Sequence, residues 1–71
     1  MKVKYYKEKM SFLNGDCIWK LVDDKWYEYA FWGSNKWQYR DTEYAKVVMN
    51  DKGRDGMFFE ITKEEAFLEL L

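Results

Sequence analysis

The chain has 71 residues, a net charge of −1 and 35% charged residues, which bounds it to one small domain without the basic excess of a nucleic-acid binder. A single cysteine excludes an internal disulfide, and the lack of histidine removes the commonest metal ligand and the usual acid–base group near neutral pH. Aromatic residues make up 21% of the sequence, so burying them has to supply much of the stability.

Residues 2–9 read KVKYYKEK, with Val3 and Tyr5 alternating with Lys2 and Lys4. That period predicts a strand, and its lysines suit a sheet edge, where charge discourages further pairing. Asn14-Gly15-Asp16 is a turn signal, because Asn-Gly readily takes positive φ. The first strand is therefore expected to form a hairpin with the next.

From Cys17 to Arg40 the sequence holds all four tryptophans. Asp23-Asp24 and Gly33-Ser34-Asn35 divide this stretch into three short runs, the pattern of a three-stranded meander. A three-residue first loop, Asp23-Asp24-Lys25, sets Val22 opposite Trp26, Trp19 opposite Tyr29 and Leu21 opposite Tyr27. A second loop at Gly33-Ser34-Asn35 sets Tyr29 opposite Tyr39 and Phe31 opposite Trp37. One face is then Cys17, Trp19, Leu21, Tyr27, Tyr29, Phe31, Trp37 and Tyr39. The other carries Ile18, Lys20, Val22, Trp26, Glu28, Ala30, Trp32, Lys36, Gln38 and Arg40, with Glu28 between Lys20 and Arg40. Slipping either hairpin by one residue exchanges faces and sets Glu28 among aromatics or strips it of its partners, which favours the odd loop.

Asp41 or Thr42 can cap a short helix through Asn50, with Glu43 in its first turn and Tyr44, Val47 and Val48 on one side. The β-branched Val47-Val48 pair leaves a strand as the competing assignment. Asn50 to Gly56 reads as a loop. Asp51, Asp55 and Gly56 match the start of a calcium loop, but Gly53 and Thr62 stand where two oxygen ligands belong, so a turn is expected and no metal. Met57 to Ile61 predicts a strand with Met57, Phe59 and Ile61 inward. Thr62-Lys63-Glu64-Glu65 is a capping box opening a helix to Leu71, with Ala66, Phe67, Leu70 and Leu71 towards the core. So short a helix needs the sheet to hold it, and the aromatic face of the meander is the expected receiver.

No nucleophile–base pair, phosphate loop or repeat stands out, and Cys17 falls on the expected core face. These features predict an α+β domain over residues 1–71: an antiparallel β-meander of four to five strands, a C-terminal helix, and a short helix before the last strand. The expected function is non-enzymatic, with no cofactor. The chain reads as a small regulator or inhibitor that binds a protein partner or itself through an aromatic sheet face.

Trp26, Trp32, Lys20, Glu28 and Arg40 are the expected protein-binding residues, because Trp and Arg concentrate binding energy. That face is either exposed or covered by the Thr42–Asn50 helix or the first strand. Stacking of single-stranded nucleic acid or a sugar on the aromatics is the alternative, disfavoured by the charge. No apolar run is long enough for a membrane span, which leads to a cytoplasmic expectation. Lysine-rich, Tyr/Phe/Asn-rich composition points to an AT-rich coding genome of bacterial or phage type.

Overall fold

The computed structural model describes residues 2–9, 17–29 and 36–70. The elements are β1 (Val3–Glu8), β2 (Cys17–Val22), β3 (Lys25–Tyr29), β4 (Trp37–Arg40), α1 (Thr42–Gly53), β5 (Phe58–Ile61) and α2 (Lys63–Glu69). The strands form one antiparallel sheet in the order β4-β3-β2-β1-β5. This is the α+β architecture expected, with one helix before the last strand and one after it. The hairpin expected at Asn14-Gly15 and the loop at Gly33-Ser34-Asn35 lie outside the described residues, although β1 does pair with β2.

β1 is not an edge. It pairs with β2 on one side and β5 on the other. Its charges are tolerated there because a helix answers them on each face: Lys52 of α1 reaches Glu8 at 2.6 Å, and Glu69 of α2 reaches Lys7 at 2.7 Å.

The first hairpin is tighter than expected. Val22 pairs with Lys25, Leu21 with Trp26 and Trp19 with Glu28, so the loop is Asp23-Asp24 alone. Both aspartates sit at positive φ, 48° and 68°, the backbone sign of a type I′ turn, which matches the twist of the flanking strands. The second pairing sets Tyr29 opposite Trp37 and Tyr27 opposite Tyr39, a shift of two residues that keeps sides unchanged. The one-residue change at the first hairpin therefore turns β2 over relative to β3 and β4.

The two faces of the sheet are consequently not those expected. Cys17 and Trp19 share a side with Trp26, Glu28 and Arg40, and Ile18 and Lys20 share the other with Tyr27, Tyr29, Trp37 and Tyr39. Each face has its own helix. Cys17, Trp19, Trp26 and Phe58 form the larger core with Ala45 of α1, flanked by Tyr6, Val48 and Met49. Ile18, Ile61 and Ala66 of α2 form the smaller one, flanked by Tyr5, Trp37 and Leu70. α2 thus packs on the opposite face from the Cys17/Trp19 side.

α1 starts where Asp41 Oδ1 accepts a hydrogen bond from the Glu43 N–H at 3.0 Å. It runs on through Asn50 to Gly53, taking half of the expected loop, and Arg54 pairs with Asp51 at 3.7 Å. Its inward residues are Ala45, Val48 and Met49, whereas Tyr44 and Val47 are exposed. The capping box of α2 forms as expected, with reciprocal 3.1 Å bonds between Thr62 and Glu65. Phe67, expected inward, is 49% exposed, and Ala66 rather than Phe67 meets Ile18 and Ile61 in the core. Phe58 takes the core place expected for Phe59, which pairs with Lys7 on the α2 side.

Candidate functional site

Of the five residues expected to form one contact surface, the four that are described are divided between the two faces of the sheet. Trp26 is 6% exposed, inside the core beneath α1, with its ring 5.3 Å from Tyr6 and 6.2 Å from Trp19. Glu28 is buried beside it, and Arg40 is half-buried with its Nε donating to Glu28 Oε1 at 2.8 Å. Lys20 is on the opposite face, and Trp32 lies outside the described residues. α1 thus covers Trp26 and Glu28, the covered alternative of the two readings of that face.

Beneath α1 lies a polar network that the sequence reading missed. Glu8 accepts from the Trp19 indole N–H at 2.8 Å with one oxygen and pairs with Lys52 through the other. Glu28 divides its oxygens between Arg40 and the Cys17 thiol, which donates to Oε2 at 3.3 Å. Burial, then the Glu28 charge and hydrogen bond, push the Cys17 thiol far above the ordinary thiol range. The possible ligand atoms of Glu8, Cys17 and Glu28 lie within 4.8 Å of one another. Binding a metal there requires the thiol to lose its proton and the carboxylates to release Lys52 and Arg40. Among the described residues every buried side-chain nitrogen and oxygen already has a hydrogen-bond partner. The Lys52–Glu8 pair fastens α1 to the sheet, and the Glu28 bonds to Arg40 and Cys17 tie β3 to β4 and β2.

The other face carries the accessible aromatics. Tyr27 meets Tyr39 edge to face at 5.8 Å, and Tyr29 meets Trp37 at 5.4 Å. Tyr39 is 60% exposed, and Tyr27, Tyr29 and Trp37 are half-buried. Lys20 Nζ stands 4.4 Å from the centre of the Trp37 ring and 5.5 Å from that of Tyr27. α2 occupies the β1 side of the same face, where Phe67 meets Tyr5 at 6.1 Å. Trp37 marks the boundary, leaning on the Ile18 cluster.

A sequence signal for this arrangement existed. A two-residue Asp-Asp turn predicts the observed register, and with it Lys20 beside Tyr27. A cleft of about 320 Å³ between β1, β5 and the start of α2 is lined by Val3, Tyr5 and Ile61, with Lys4, Glu60 and Lys63 around them. No described helix is long and apolar enough to cross a membrane. No protein-family model, curated protein or solved structure matches this chain, so no function is inherited from a relative.

Proposed function

We propose that this chain is a non-enzymatic protein-interaction module, a small regulator or inhibitor, that binds its partner through the aromatic face of β3 and β4. The observation that carries this reading is the group of Tyr27, Tyr29, Trp37 and Tyr39 around Lys20, with Tyr39 60% exposed on the side away from α1. Tyr and Trp present large, stiff, amphipathic surface, and such residues supply most of the binding energy of protein interfaces. Of the four described residues expected from the sequence to form the contact, Lys20 lies on this face and Trp26, Glu28 and Arg40 lie on the other. The non-enzymatic reading is supported by Cys17, a protonated thiol donating inside the core where no substrate reaches it. A free thiol suits a reducing compartment, and we place the protein in the cytoplasm.

The test compares the wild-type chain with Tyr39→Ala as bait in host lysate. The partner retained by the wild type is then purified and titrated against both by calorimetry. Removing Tyr39 is expected to weaken binding by about tenfold or more, with the melting temperature almost unchanged. Equal affinity in a folded Tyr39→Ala variant moves the contact off this face and overturns the proposal. Base or sugar stacking would use the same rings; tight oligothymidylate binding that falls steeply with salt would establish that reading instead.

A further inference from the structure

The face that bears α2 shows what kind of segment it accepts. Among the described residues its strands carry three lysines, Lys7, Lys20 and Lys25, and no carboxylate. Where α2 covers the face, the helix lays Ala66 and Leu70 on Ile18 and Ile61 and brings Glu69 to Lys7 at 2.7 Å. Lys20 lies on the neighbouring strand, where its cross-strand partners are Tyr5 and Tyr27. No ion pair among the described residues reaches it; among them its ammonium is met by the faces of Trp37 and Tyr27. One half of this face is thus matched by an acidic amphipathic helix, and the other half repeats the same chemistry with no described helix packed on it.

We infer that the β3–β4 half binds a second acidic amphipathic segment, contributed by the partner. Its aliphatic side chains lie on Tyr27, Trp37 and Tyr39, and one carboxylate sits against Lys20 as Glu69 sits against Lys7. This rests on the reading of the aromatic face as the contact surface. Charge complementarity singles out an acidic segment over a basic one, because a second cation at Lys20 would meet an ammonium with no anion between them. A peptide also fits better than single-stranded nucleic acid, which needs a cationic groove tracking several phosphates, whereas this half offers Lys20 and Lys25.

The experiment titrates the isotope-labelled full chain with three probes, followed by NMR. Two are 14-residue peptides sharing the same leucine and alanine positions, one with glutamate and one with lysine at the polar positions; the third is oligothymidylate. The glutamate peptide is expected to shift the signals of Lys20, Tyr27 and Tyr39, and to bind about tenfold tighter than the lysine peptide. A Lys20→Met substitution is expected to weaken the glutamate peptide about fivefold. Equal binding of both peptides, lost in Tyr39→Ala, overturns the acidic-segment inference and leaves the aromatic contact face standing. Shifts confined to other surfaces, or none, remove both. Preferential oligothymidylate binding overturns it in favour of nucleic acid, and a light-scattering dimer that Tyr39→Ala dissociates overturns it in favour of a second copy.

Discussion

Glu28 takes a carboxylate into an aromatic core, and both of its oxygens are occupied, one by Arg40 at 2.8 Å and one by the Cys17 thiol at 3.3 Å. A buried carboxylate without such partners costs several kcal/mol, which is why the sequence argues for a register that keeps Glu28 on a solvated face. Glu28 is tolerated among the aromatics because Arg40 stays on its side, as expected, and because the turned-over β2 brings the Cys17 thiol to it as a donor. Cys17 also makes the network measurable. An unfolded thiol ionises near 9.0, whereas burial and the adjacent Glu28 hold the folded one protonated well above that. Above this pH the unfolded chain has released a proton that the folded chain retains. The thiol's contribution is therefore fully present below pH 9 and declines as pH rises, by at most about 1.4 kcal/mol per pH unit. Urea titrations between pH 8 and about 10.5 should show the wild type losing roughly 1–2 kcal/mol more than Cys17→Ala, which is less stable at the outset but lacks this slope. Parallel pH profiles for the two proteins would mean that the thiol is not held protonated by the fold.

At the level of elements, what was legible in the sequence is what local chemistry determines. Thr62 and Glu65 close the capping box of α2 through side chains three residues apart, and Asp41 caps α1 in the same local way. Features decided by distant partners were not legible: that β1 lies inside the sheet, that α1 continues to Gly53, and that Phe58 rather than Phe59 enters the core. The β2–β3 turn lies between these cases. Its loop length could be either two or three residues, and the structure chooses two by holding both Asp23 and Asp24 at positive φ. Aspartate tolerates that region at some cost, and glycine enters it freely. Asp24→Gly should therefore stabilise the domain by about 0.5–1 kcal/mol, read as a higher urea midpoint at unchanged slope. With a three-residue loop instead, this substitution would be neutral or destabilising.

Across the described residues, one sheet separates two helices, and of these α1 is the one that packs along β3. α1 lies over Trp26 on one side, while on the other α2 packs against β1 and leaves Tyr39 60% exposed. Composition identified an aromatic sheet as the centre of the fold but could not assign its sides, because a single residue of register exchanges them. Two substitutions separate the sides. A domain of this size is stable by about 4–10 kcal/mol, and emptying a buried tryptophan site costs roughly 3–5 kcal/mol. Trp26→Ala should accordingly remove about half or more of the stability, lowering the melting temperature by some 20 °C or leaving the chain largely unfolded. Tyr39→Ala gives up one edge-to-face contact with Tyr27 and surface already open to water, so its cost should be about 1 kcal/mol or less. Thermal melts followed by circular dichroism decide between the two assignments. If Trp26→Ala melts like the wild type and Tyr39→Ala collapses, the faces are reversed and the partner contact returns to the Trp26 side. The expected order instead makes Tyr39 a position where binding can be removed while the fold is kept, which is the property a contact residue needs and a core residue lacks.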